Sequence, residues 1–216
     1  MTKQSTRVTH DADGDNAQKT GAFADRIIGK LCGDGGSLGA FLDVGCGIGS
    51  VLRAAKPYAT SLAGVDRSEQ FLASARAALP DAKFFNTDVA DLRSFEDESV
   101  DAATFCDVIE HLENPISALR EIRRVLRSGG RFLITTPNSD SVFRRLLGRR
   151  WFGLSDATHL VFYTPFSLAT LLARTGFAVT TSTTLSAAGT GLAGTANAFI
   201  ERFGQGGTLL IVAQKT

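Results

Sequence analysis

The chain has 216 residues, 44% of them apolar, with 23 basic and 22 acidic side chains and a formal net charge of +1. That length and apolar share suit one packed domain and exclude a disordered chain, and the charge balance leaves no basic field to draw in nucleic acid or an anionic membrane. No stretch nears the roughly 20 apolar residues that cross a bilayer, the N-terminus lacks a signal peptide's apolar core, and three unpaired cysteines, Cys32, Cys46 and Cys106, suit reduced thiols in the cytoplasm.

Residues 1–16 are polar and rich in Asp and Thr, so a flexible tail is expected ahead of a single domain over 17–216. Phe23, Ile27 and Leu31 recur at helical spacing before Gly33, which predicts an amphipathic helix that covers the site from one side. Apolar runs at 40–44, 61–65, 83–85, 100–105 and 131–135 predict buried parallel strands. Between them, Ser68 heads a helix with Phe71, Leu72, Ala75 and Leu79 inward, stopped by Pro80. Asn114 and Pro115 start another with Ile116, Leu119, Ile122 and Leu126 on one face, ended by Gly129 and Gly130.

This βαβ series predicts a Rossmann-like α/β fold, a mostly parallel seven-stranded sheet with helices on both faces. Residues 139–163 interrupt it just beyond the carboxyl end of a strand and are expected to form a lid. Thr164 and Pro165 then open a helix through Leu168, Leu171 and Leu172 to Gly176. A strand follows at 177–184, a Gly, Ala and Thr rich stretch at 189–207 is expected to be partly mobile, and 208–213 reads as a final antiparallel strand.

The run FLDVGCGIGS at 41–50 is an apolar strand, Asp43, three glycines (Gly45, Gly47, Gly49) and a helix starting near Ser50. Such a turn lets the backbone pass close to a ligand and aims helix N-terminal amides at it. Ser50 occupies the third glycine position of G-x-G-x-x-G, which speaks against a nicotinamide dinucleotide. Asp66 closes the next strand, where a carboxylate meets ribose hydroxyls, and Asp88 follows the third. Acids at three successive strand ends point into one crevice.

Asp107, Glu110 and His111 stand at i, i+3 and i+4, so a helical turn would put two carboxylates and an imidazole on one side, a set that suits a hard divalent cation. His159, after the lid, is the natural fourth member. The plainer alternative makes Glu110 and His111 loop-shaping residues and ties His159 to backbone. Arg144, Arg145, Arg149 and Arg150 are either a solvated face or, with Trp151 and Phe152, a place to stack a ring and hold an anion. Tyr163 either offers its hydroxyl to an acceptor or packs, and Cys46 is most simply a space-filler.

Together FLDVGCGIGS, GVDRSEQFLASAR, FNTDVADL, SVDAATFCDVIEHLENP and LRSGGRFLITTPN, extended by HLVFYTPFSL, resemble the class I S-adenosylmethionine-dependent methyltransferases. The resemblance implies that Asp43 and the Gly45, Cys46, Gly47, Gly49 loop face the methionine part of S-adenosylmethionine. It gives Asp66, followed by Arg67, to the ribose, Asp88 and Val89 to the adenine, and Asp107 to the neighbourhood of the sulfonium. Asp107, Glu110, His111 and His159 are similar to the E-x-x-E-H plus distant His of small-RNA 2′-O-methyltransferases and to the acid pair with His of ubiquinone-pathway O-methyltransferases. In those families Mg²⁺ or a similar ion binds the set and two acceptor hydroxyls; here Asp107 replaces the first Glu.

The expectation is O-methylation of a sugar, glycan, phenol or other diol-bearing small molecule, with Glu110, His111 and His159 catalytic. Its competitors are a metal-free N- or C-methyltransferase, a nicotinamide oxidoreductase, a non-catalytic S-adenosylmethionine sensor and an RNA 2′-O-methyltransferase; the last lacks an accessory domain and a basic surface. No membrane partner is expected, and a homodimer is left open.

Overall fold

The computed structural model describes residues 14–33, 36–186 and 191–216. Helix α1 (Gly14–Cys32) begins inside the stretch expected as a tail, whose residues 1–13 lie outside the described part. Ile27, Ile28 and Leu31 of α1 are buried against the sheet, and Gly33 turns the chain with a φ of 60°.

Seven strands form one sheet: β1 (Gly39–Val44), β2 (Ala59–Asp66), β3 (Lys83–Asn86), β4 (Val100–Cys106), β5 (Leu126–Pro137), β6 (Phe177–Leu185) and β7 (Thr208–Lys215). Their order is β3-β2-β1-β4-β5-β7-β6; the first five run parallel, and β7 is antiparallel to both β5 and β6. Strand order reverses between β1 and β4, the switch point where such sheets open a crevice at their carboxyl ends.

Crossover helices α2 (Ser50–Ala55), α3 (Glu69–Ala78) and α4 (Pro115–Val125) cover the sheet. Ser68 Oγ accepts from the Phe71 N–H at 3.3 Å, and Asn114 Oδ1 from the Ser117 N–H at 3.4 Å, so both predicted starts are capped. Leu72, Ala75 and Leu79 are buried beneath α3, but Phe71, expected in that face, is exposed at the crevice. Ile116 is likewise exposed, and the buried face of α4 is Ala118, Leu119, Ile122 and Val125.

The helix ends at Val125, because Leu126 already pairs with Val100. Gly129 and Gly130 therefore lie inside the bounds of β5: residues 127–130 loop out before Arg131 resumes pairing opposite Ala102, and Gly129 takes a φ of 72°.

The predicted lid consists of α5 (Val142–Leu147), a 3-10 turn (Gly148–Arg150) and α6 (Phe152–Ser155). Helix α7 (Pro165–Arg174) follows behind a reciprocal cap between Thr164 and Ser167. Helix α8 (Gly191–Arg202) occupies most of the stretch expected to be mobile. It is tied down by Arg26, which donates to both Glu201 carboxylate oxygens at 2.9 and 2.8 Å, while residues 187–190 lie outside the described part. Among the described residues no helix is long and apolar enough to cross a membrane.

Candidate active site

The β1 turn closes tightly against the loop after β4. Gly45 has a φ of 81°, and a Cβ there would collide with Val108. At Gly47 the opposite holds, since an added Cβ would meet nothing within 4 Å, so bare backbone faces the crevice. Gly49 is the N-cap residue of α2, and the Cys46 side chain packs inward, its Sγ within 2.7 Å of where a Cβ on Gly64 would lie. Burial pushes that thiol up, so Cys46 fills space as an inert group.

Asp66 accepts from the Gly47 N–H and from the Ser68 N–H, both at 2.8 Å. A carboxylate has about four acceptor sites, so about two remain for vicinal hydroxyls. Asp43 is buried, with Thr104 Oγ1 donating to it at 2.7 Å, and burial pushes its carboxyl up to about 7. Asp88, expected at the adenine, is not among the residues that line the crevice; it is exposed, its Oδ1 accepting from the Ala90 N–H at 2.8 Å and its Oδ2 3.6 Å from Arg67.

Two lobes, of about 240 and 290 Å³, meet over Gly45, Gly47, Cys106 and Asp107. Phe23, Ala24 and Asp43 line the first; Asp66, Arg67, Phe71, Val89 and His111 line the second. Bare glycine backbone, an acid with spare acceptor capacity and apolar walls from Phe71 and Val89 fit a nucleoside carrying a methionine tail. Phe71 was missed as a wall because its helical spacing reads as core.

Beyond Asp107 the chain is not one helical turn. Asp107 takes a left-handed φ of 52°, and only Ile109–His111 form a 3-10 turn. Asp107 therefore diverges from the side that helical spacing assigned to it: it lines both lobes and accepts from Thr135 Oγ1 at 3.1 Å. Glu110, His111 and His159 do come together, with one ligand atom from each within 4.8 Å of the others, and Asp107 falls outside this group.

Glu110 is buried. Thr136 Oγ1 donates to its Oε2 at 3.0 Å, whereas its Oε1 has no hydrogen-bond partner. Burial, with Asp107 nearby, pushes its carboxyl up to about 8. His111 Nδ1 lies 3.2 Å from the Thr158 carbonyl oxygen, and His159 Nδ1 lies 2.8 Å from that of Gly153. A carbonyl can only accept, so both histidines donate from Nδ1; the Thr158 hydroxyl lies 2.9 Å from the same nitrogen of His111, and an Asp156 carboxylate oxygen lies 3.7 Å from His159 Nε2. The rings meet edge to face, 4.8 Å between centroids. Tyr163 contributes a second buried, unpartnered oxygen, and burial with Glu110 pushes its hydroxyl up to about 12.

Thr104 and Thr136, which hold Asp43 and Glu110, carry no sequence signal of their own, since threonine in a strand reads as a β-former.

In the 139–163 insertion, Trp151 is fully buried, its ring 5.3 Å from Phe152 and 6.2 Å from Phe162, so it anchors this segment and presents no surface for stacking an acceptor. Arg144 lies 5.9 Å over the indole and Arg145 pairs with Asp140 at 2.8 Å, while Arg149 and Arg150 stay exposed.

A family model described as a methyltransferase domain matches residues 16–182. The ubiquinone biosynthesis O-methyltransferase of Neisseria meningitidis is 32% identical over 105 residues, 46% of this chain and 44% of that protein. The sterol 4-C-methyltransferase of Caenorhabditis elegans is 30% identical over 103 residues, 43% and 29%. The chain spans about a third of the length of the first curated relatives it matches. An S-adenosylmethionine-dependent methyltransferase structure from Mesorhizobium loti shares the fold at a TM-score of 0.68 and 24% identity, covering 91% of this chain and 98% of that one. The chain belongs to the class I S-adenosylmethionine-dependent methyltransferases.

Proposed function

We propose that this chain methylates a hydroxyl oxygen of a diol-bearing small molecule (a sugar, glycan or phenol) and that Glu110, His111 and His159 hold a divalent ion beside it. The two relatives named above act, by their names, on oxygen and on carbon, so the choice rests on the site. One observation carries it: a buried carboxylate oxygen without a partner lies in a cluster with two imidazoles whose Nδ1–H groups are tied to backbone. Outer hydrogen bonds of this kind fix the tautomer of a ligating or proton-accepting histidine.

Bound S-adenosylmethionine supplies an already activated methyl group, so the protein has to align the acceptor and take up its proton. A divalent ion, when bound, supplies Lewis acidity. An Nε2 lone pair that would hold the ion cannot also take a proton, so with an ion held the hydroxyl proton would pass to water, and without one His111 or His159 accepts it at Nε2; Tyr163 offers an unpaired hydroxyl behind the site, and Asp107 keeps its carboxylate toward the crevice. Two imidazoles with one carboxylate suit a first-row transition ion better than Mg²⁺, so both belong in the test.

Catechol and a pyranoside with vicinal hydroxyls are to be assayed for S-adenosylhomocysteine release with chelator, then with Mg²⁺ or Mn²⁺ restored. Methyl ether formation that chelator stops and an ion restores is the expected result. Indifference to chelator removes the ion, and transfer only to nitrogen or carbon acceptors removes the oxygen assignment.

A further inference from the structure

Beside the cofactor crevice lies another cavity, of about 340 Å³. Its walls include Phe23 of α1, Phe143 and Leu147 of α5, Phe152 of α6, and Leu185 and Ser186 at the end of β6. Phe23 also lines the crevice lobe that contains Asp43 and Gly45, so the two spaces share a wall. Phe152 precedes Gly153, whose carbonyl holds His159 at 2.8 Å, so one short helix supplies both this wall and the anchor of a candidate base.

The lining is aromatic and aliphatic apart from Gly207, Thr208 and Ser186. Ser186 is 6% exposed, and its Oγ is buried with no hydrogen-bond partner. A buried hydroxyl left unpaired is unfavourable, and a ligand that pairs it relieves that cost. A bare sugar would bury many hydroxyls here against few partners, which disfavours it. An apolar body with one polar group matches the wall.

We propose that this chamber takes the apolar part of the acceptor, an aryl ring or alkyl chain whose single polar group pairs with Ser186 Oγ, while the reacting hydroxyl reaches His111 and His159. The assignment deepens the O-methylation proposal and rests on it. Leu147 and Phe152, 49% and 47% exposed, flank the way in from solvent.

The test uses the whole chain, catechol and its 4-methyl, 4-butyl and 4-octyl derivatives. Binding is read by displacement of the neutral fluorophore N-phenyl-1-naphthylamine in the presence of S-adenosylhomocysteine, and turnover by methyl transfer. Affinity is expected to rise roughly threefold to fourfold per methylene until the chamber is filled. Two variants should flatten the series: Leu147→Asp, which places a charge at the mouth, and Gly207→Val, whose Cβ would lie 3.3 Å from the Phe152 ring and narrow the space. Unchanged affinity for S-adenosylhomocysteine shows that each variant is folded.

An octyl compound that binds no tighter than catechol overturns the chamber, as does tight binding that neither variant weakens. Tight, variant-sensitive binding without methyl transfer leaves the chamber standing and overturns O-methylation. Methylation of catechol without any chain-length dependence does the reverse.

Discussion

Asp43 and Asp66 stand on neighbouring strands in different surroundings: one is buried beneath a Thr104 hydroxyl, the other is held by two backbone amides. Burial keeps the Asp43 carboxyl up at about 7, against about 3.9 in an unfolded chain. A raised acid contributes stability that is fully present below about pH 4 and is lost as pH rises through about 7. The unfolding temperature of cofactor-free protein should therefore decline from pH 5 to pH 8, less steeply in Asp43→Asn; parallel profiles would contradict this. Asp66→Ala should weaken S-adenosylhomocysteine binding about tenfold or more in calorimetry, since hydrogen bonds to a charged group contribute about 1.5–3 kcal/mol. His111→Ala and His159→Ala should each lower kcat by about 10²-fold or more with that affinity unchanged; two variants with full rate would dismiss both as bases. These residues were legible because glycines, strand-end acids and an acid-histidine run are unusual in pattern. Asp107 was misplaced because helical spacing presupposes a negative φ, and Ser186 went unread because only burial makes its hydroxyl conspicuous.

The 139–163 insertion, the expected lid, is held from inside by Trp151, and Gly153 leaves room for that ring: a Cβ there would collide with the indole. Gly153→Ala is expected to displace the ring and with it the carbonyl that anchors His159. Trypsin should then cut faster at Arg149 and Arg150, and kcat should fall together with lid order; unchanged cleavage and rate would show that the lid absorbs the methyl group. Helix starts were readable wherever a cap residue precedes Pro or an apolar face, as at Ser68, Asn114 and Thr164. Helix α8 was not, because its Gly and Thr content signals a loop, while the Arg26 to Glu201 pair that secures it spans 175 positions. The buried Trp151 misled for a similar reason: beside four arginines it reads as surface, and only its packing on Phe152 and Phe162 reveals an anchor.

At the scale of the molecule, the parallel βαβ series and its switch point were plain from alternating apolar runs and glycine stops. A ligand that binds only the folded state stabilises it by mass action. S-adenosylhomocysteine at a hundred times its Kd should raise Tm by roughly 5–10 °C; a shift with NAD but none with S-adenosylhomocysteine would overturn the cofactor. The seventh strand in chain order lies between the fifth and the sixth, with Leu209 to Ala213 buried there. A ribosome therefore releases β5 and β6 before the piece that joins them exists. Until residues 208–215 emerge, the nascent protein carries an open edge on β5 and a β6 without its strand partner, the kind of unpaired edge on which chains associate.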